Sequence, residues 1–402
     1  MNEIEKSRLR FRAANVFSPS APITIESLFA GRKKQLRALL DAVPIRGRHA
    51  IVFGEPGVGK TSLARVIAAN LPAEAADAVE APYVSCDSTD TFDSVWRKVI
   101  GEIKALRNFP GVAPQEKLAL EGLPPGDPLT PESIRRTLEF FGRDRTLVIV
   151  IDEFDRLADR GQRRLFAETI KLLSDRTVPA TVIIVGVADD VSSLLAEHAF
   201  IERALVQVLM PRMSRDELRE IIDKAADRVP IKVDAAVLER ITQLSQGLPN
   251  YTHLLGLEAA RHAIDAGSRT IRGTHLTLAI KTAIDNAQAT IKDTYYKATR
   301  NPHKDNLSGS ILLACALAPC DEEGYFAAAD VRKRLNGMTD ERYEMATFSR
   351  HLHDFCDERR ASILRRTGDK HHFRFRFTHP LLQPFVILKG IAQGKVREEM
   401  MA

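Results

Sequence analysis

The stretch Gly54-Glu55-Pro56-Gly57-Val58-Gly59-Lys60-Thr61 constrains this chain more than any other. It follows a short apolar run, Ala50–Gly54, that reads as a strand, and it leads into Thr61–Asn70, which reads as a helix. Glycines so placed let successive backbone N–H groups converge on phosphate oxygens, and the start of the helix adds the positive end of its dipole. In that setting the Lys60 ammonium neutralises the outer phosphates of a nucleotide. The Thr61 hydroxyl is offered to Mg²⁺, with Ser62 beside it in the same cradle.

A second segment completes the chemistry. Leu147-Val148-Ile149-Val150-Ile151-Asp152-Glu153 is an aliphatic strand ending in two acids. Asp152 is placed to hold Mg²⁺ through water, and Glu153 to orient and deprotonate an attacking water. Around these motifs, through about Leu209, strands and helices alternate. Pro82–Cys86 reads as a strand and Thr91–Leu106 as a helix, while Thr146–Ile151 and Ala180–Val185 are aliphatic enough to be buried on both faces of a parallel sheet. The spacing therefore predicts an α/β doubly wound domain. Prolines and glycines without a period between Asn108 and Pro131 predict a surface loop.

From Ser214 the pattern turns helical: Ser214–Arg228, Asp234–Gln246, Asn250–Ala266 and Thr274–Lys297, with Ser214 and Asp234 as N-caps. After the polar stretch 301–306 come helices over Ser308–Leu317, Ala328–Leu335 and Met345–Glu358. A hairpin of Ser362–Arg366 and His372–Thr378 follows, then an apolar helix or strand over Leu381–Ile391. The expected organisation is an N-terminal segment 1–24, an α/β core 25–212, an all-α lid 213–300 and a C-terminal domain 301–402.

Composition excludes several classes. With 44% apolar and 28% charged residues in 402, the chain is a globular protein of two or three domains. Its apolar run Ile311–Ala318 is too short for a membrane helix. Met1–Phe17 has no apolar signal region. The four cysteines, Cys86, Cys315, Cys320 and Cys356, lack metal-binding spacing and suit reduced thiols in a cytoplasm. The pairs His351/His353 and His371/His372 are not completed to a metal set. A net charge of +5 permits a nucleic-acid partner without requiring one.

Taken together, Gly54–Thr61, Asp152-Glu153 and the strand ending Val185-Gly186-Val187-Ala188-Asp189 resemble AAA+ P-loop ATPases, most of all the origin-recognition and replication-initiator branch. Leu28 to Leu36, with Gly31-Arg32, is similar to the segment that opens those proteins and lies near the adenine. The resemblance implies ATP and Mg²⁺ as cofactors. It places Asp189 at the sensor-1 position, where an aspartate in place of the usual neutral polar residue would repel phosphate, and Arg203 where a finger reaches a neighbouring subunit's nucleotide in a homo-oligomer. Gly247-Leu248-Pro249-Asn250-Tyr251 resembles the sensor-2 turn, with Asn250 replacing the family's arginine. These departures imply slow hydrolysis and a switch rather than a motor.

The C-terminal pattern resembles a winged helix. In Phe373-Arg374-Phe375-Arg376-Phe377 a period of two sends phenylalanines inward and arginines outward. Arg365, Arg366, Lys370, Arg374 and Arg376, with Arg350 on the third helix, form a footprint suited to double-stranded DNA. Asp354, Asp357 and Glu358 on that helix oppose groove entry. Two readings follow: a DNA-binding initiator-like switch, or a STAND-like signalling or defence ATPase whose winged helix contacts protein.

Overall fold

The computed structural model describes residues 1–67, 70, 79–107, 128–195, 201–300, 307–321, 323–339, 341–369 and 372–396. Most of the expected 108–131 loop, and Lys370 with His371, fall outside these residues. Contacts divide the chain into two compact units, one of residues 22–55 and 59–210, the other of 1–21, 56–58 and 211–402.

The chain opens with α1 (Glu3–Val16), capped by the Asn2 side chain, which accepts the Glu5 N–H at 2.8 Å. The α/β unit then runs α2 (Lys33–Ala42), β1 (His49–Gly54), α3 (Lys60–Val66), β2 (Val79–Glu80), β3 (Tyr83–Ser85), α4 (Phe92–Arg107), α5 (Pro131–Phe141), β4 (Thr146–Asp152), α6 (Arg160–Asp175), β5 (Ala180–Val187), α7 (Val191–Leu194) and β6 (Leu205–Leu209). The strand order is β2-β4-β5-β1-β6, with β3 also on β4, and every pairing is parallel. β1 is buried throughout, β4 after its first residue and β5 up to Val187, which is why they read as unbroken aliphatic runs.

One face of the sheet carries Leu147, Ile149 and Ile151 in a core with α4, α5 and α6. Phe166 lies at its centre, stacked on Trp96 at 5.8 Å and edge-on to Phe92 and Phe154 at 5.0 Å each. The alternate residues Val148, Val150 and Asp152 therefore point to the face that holds α3.

The other unit is mostly helical: α8 (Arg215–Arg228), β7 (Lys232–Val233), α9 (Ala235–Ser245), α10 (Pro249–Asp265), β8 (Thr270–Ile271), α11 (Gly273–Asp285) and α12 (Ala289–Thr299). Ser214 and Glu217 close a capping box on α8 at 3.2 and 2.9 Å. The single helix expected over Thr274–Lys297 is instead two, since α11 ends at the C-cap Asn286 and α12 begins after Gln288. α1 packs on α10, where Gly256 has no side chain: a Cβ there would sit 2.5 Å from the Phe17 ring.

The C-terminal part continues through α13 (Leu307–Leu317), β9 (Phe326–Ala327), α14 (Ala328–Met338), α15 (Met345–Asp354), β10 (Leu364–Thr367), β11 (Arg374–Phe377) and α16 (Leu382–Ala392). Its antiparallel sheet pairs in the order β10-β11-β9, with α13, α14 and α15 ahead of the β10-β11 hairpin. α15 ends at Asp354, and Glu358, expected in the same helix, opens a separate 3-10 turn. The fully buried Gln383 of α16 donates to the Ala316 carbonyl at 3.0 Å and to Gln246 Oε1 at 3.3 Å, and accepts from Arg212 at 2.5 Å. This one amide ties α16 to the turn between α9 and α10.

Candidate nucleotide site

The loop after β1 takes backbone that favours glycine, with φ of +146° at Gly54, +82° at Gly57 and +95° at Gly59. At Gly54 a Cβ would lie 2.5 Å from the Met210 carbonyl oxygen, so no other residue fits. Lys60 opens α3 and is buried, and its ammonium donates to the Gly54 and Glu55 carbonyls at 3.0 and 2.7 Å. Burial pulls its pKa down to about 8, against the opposing pull of Asp155, Asp152 and Glu55. Thr61 and Ser62 follow, both half-buried, and the Ser62 hydroxyl oxygen accepts the Ile23 N–H at 3.0 Å. Glu55 and Val58 are buried, Pro56 and Gly59 half-buried and Gly57 exposed.

Asp152 ends β4, 2% exposed. Its Oδ1 accepts the Glu153 N–H at 2.7 Å and its Oδ2 the Tyr83 hydroxyl at 2.5 Å. Glu153 sits at φ +53°, where its carboxylate accepts from Ser85 at 3.2 Å and pairs with Arg156 at 3.1 Å. Asp155 accepts the Val187 N–H at 2.7 Å, which joins the turn after β4 to the end of β5. The donor set fits a metal-bound triphosphate: a glycine cradle closed to any Cβ at Gly54, an amine already satisfied by carbonyls, and hard oxygen ligands in Thr61 and Asp152.

The remaining sequence candidates are more dispersed. Gly31 and Arg32 hold left-handed φ values of +64° and +58°, and Arg32 is buried at the start of α2. Asp189 is exposed just past β5. Arg203 is exposed on a 3-10 turn before β6, paired with Asp175 at 3.2 Å. Asn250 belongs to the helical unit and donates its side-chain amide to the Pro19 carbonyl. His253, one turn on, is buried with its pKa lowered to about 4, accepts the Ser18 N–H at 3.4 Å and meets the Phe17 ring edge-on. The start of α10 is thus occupied in holding the N-terminal segment.

Tyr83, Ser85, Asp155 and Arg156 were not singled out from the sequence. Tyr83 and Ser85 alternate on β3, but only the pairing of β3 with β4 reveals what they face.

The C-terminal arginines singled out from the sequence divide into two sets. Arg365, Arg374 and Arg376 gather around the Tyr325 ring at 5.7, 6.0 and 4.7 Å. Arg374 pairs with Asp321 at 2.5 Å. Arg376 is 8% exposed and donates to the Glu323 carbonyl at 3.0 Å. The outward direction expected for Arg376 is corrected here, because the turn before β9 folds over that face of the hairpin. Arg350 and Arg366 are exposed, and Arg366 donates to His353 Nδ1 at 2.6 Å.

The family described as Novel STAND NTPase 1 matches over residues 23–311, which take in the loop, both acids and helices α8 to α12. This chain belongs to that family. No curated protein matches it in sequence. Among solved structures, the STAND NTPase is similar to the Walker-type ATPase PABY2304 of Pyrococcus abyssi, with 15% identity over 92% of this chain and 99% of that one and a TM-score of 0.55. It is similar also to the Aeropyrum pernix ORC2 protein, determined in ADPNP–ADP complexes, with 15% identity over 95% and 98% and a TM-score of 0.50. Cdc6p of Pyrobaculum aerophilum matches at 17% identity over 96% and 99%, with a TM-score of 0.48. The fold is that of AAA+ P-loop ATPases. Among the described residues, no helix is long and apolar enough to cross a membrane.

Proposed function

We propose that this STAND NTPase is a nucleotide-controlled switch that binds ATP with Mg²⁺ on the 54–61 loop, hydrolyses it slowly and thereby changes what its winged helix contacts. The observation that carries the reading is the buried Lys60 ammonium held by the carbonyls of its own glycine loop, a charge waiting for a better acceptor. Phosphate oxygens would draw Lys60 off those carbonyls. Bound Mg²⁺ would neutralise phosphate charge, with Thr61 and Asp152 as the residues that hold it. Glu153 would take the proton of the attacking water, with its carboxylate also held by Ser85 and Arg156. That restraint and the neutral Asn250 in the sensor-2 turn support slow turnover. The adenine nucleotides in the Aeropyrum ORC2 structure favour ATP over other triphosphates. Lys60→Ala should abolish binding of a fluorescent ATP analogue, and a variant that binds as the wild type does removes the reading.

For the output, Arg350 and Arg366 are exposed cations suited to the phosphates of double-stranded DNA. Arg350→Ala with Arg366→Ala should lower affinity for duplex DNA and flatten its salt dependence; no binding by the wild type at low salt sinks this output. A second reading, contact with a protein partner, is favoured by the internal use of Arg374 and Arg376. It predicts that mass in solution changes with nucleotide but not with DNA. The exposed Arg203 would reach a neighbouring copy's nucleotide in a homo-oligomer.

A further inference from the structure

We infer that Tyr83 positions the Asp152 carboxylate for the metal, an inference that rests on reading Asp152 as a metal-holding group. β3 lies against β4 in parallel register, with Tyr83 opposite Val150 and Ser85 opposite Asp152. Side chains two residues apart share a face, so the Tyr83 phenol runs along the sheet toward the end of β4. Its hydroxyl donates to Asp152 Oδ2 at 2.5 Å while the Glu153 N–H occupies Oδ1 at 2.7 Å.

A carboxylate on a strand end turns about its side-chain bonds unless something holds it. One donor per oxygen fixes its plane and still leaves each oxygen lone pairs for a metal or its water. The Tyr83 ring is itself held, because the Arg65 guanidinium lies 4.1 Å over it. Arg65 is on α3, the helix that begins with Lys60 and Thr61. One side chain therefore links the helix carrying the Lys60 amine and the Thr61 hydroxyl to the strand carrying the Asp152 carboxylate.

Outer partners of this kind orient a metal's ligands, and losing one lowers metal affinity by about 10- to 100-fold. Tyr83→Phe removes only the hydroxyl and keeps the ring under Arg65. The test uses the full chain and a fluorescent ATP analogue, first in EDTA and then across a Mg²⁺ series. Tyr83→Phe should bind as the wild type does in EDTA, and should need about tenfold more Mg²⁺ for half of the metal-dependent tightening. A merely structural role would change stability and leave that midpoint where it is. Equal midpoints in the two proteins overturn the role of Tyr83 and leave the nucleotide reading intact. A wild type whose affinity ignores Mg²⁺ overturns the metal reading and this inference with it. If Tyr83→Phe does not fold, the exposed Arg65→Gln should shift the midpoint in the same direction, and an unchanged midpoint there overturns the inference.

Discussion

His49, the first residue of β1, offers a quantitative test of how the α/β unit is built. It is fully buried, and its Nδ1 accepts the Val182 N–H at 3.0 Å, which fixes the neutral ring with its hydrogen on Nε2. Burial lowers its pKa to about 4. The unfolded imidazole titrates near 6.5, so acid protonates the unfolded chain first. His49 therefore contributes stability that is present above roughly pH 6.5 and is lost as pH falls toward about 4. The full displacement is worth roughly 3 kcal/mol, of which roughly 2 kcal/mol disappears between about pH 7 and about pH 5. His49→Asn keeps a side-chain acceptor and cannot titrate. Urea unfolding followed by the fluorescence of Trp96, the chain's single tryptophan and buried in the same unit, reads the difference. The wild type should lose roughly 2 kcal/mol more than the variant over that pH interval. Parallel losses would refute the burial argument.

Three further outcomes follow from the site. Gly54→Ala, which meets both a φ of +146° and a backbone oxygen at 2.5 Å, should destabilise the protein by about 3 kcal/mol in thermal unfolding, and an unshifted transition contradicts the loop geometry. Glu153→Gln should retain nucleotide affinity and lose phosphate release by about 100-fold, whereas full turnover would remove the residue from the role of base. Asn250→Ala should cost about 1 kcal/mol in denaturant unfolding by freeing the Pro19 carbonyl, with nucleotide affinity unchanged. A change in affinity would return Asn250 to the nucleotide.

Much of the α/β unit is legible in the sequence because its strands are buried on both faces and leave near-continuous aliphatic runs, as in β4 and β5. The phosphate loop is legible for a different reason: the positive φ values at Gly54, Gly57 and Gly59 favour glycine, and at Gly54 a Cβ would also meet a backbone oxygen, so geometry is written into residue type. Long-range partners are not written that way. Nothing in Tyr83 or Asp155 announces that one reaches the carboxylate of β4 and the other the amide of β5, since each depends on which strands become neighbours.

The C-terminal hairpin shows the same limit. Alternation in Phe373–Phe377 finds the faces of the strand, yet it does not show that Asp321 and the Glu323 carbonyl, ahead of β9, take up Arg374 and Arg376. Likewise, the helical period over Thr274–Lys297 continues through Asn286, and a weak break between two apolar stretches passes for one helix.

The most direct measurement is the structure of the complex with a slowly hydrolysed ATP analogue, using Mn²⁺ in place of Mg²⁺ so that its anomalous signal locates the metal. The triphosphate should lie along the amides of residues 54–61, with Lys60 turned from its own carbonyls onto phosphate and the metal beside Thr61 and Asp152. A triphosphate bound elsewhere, or a metal peak away from both residues, would contradict the account.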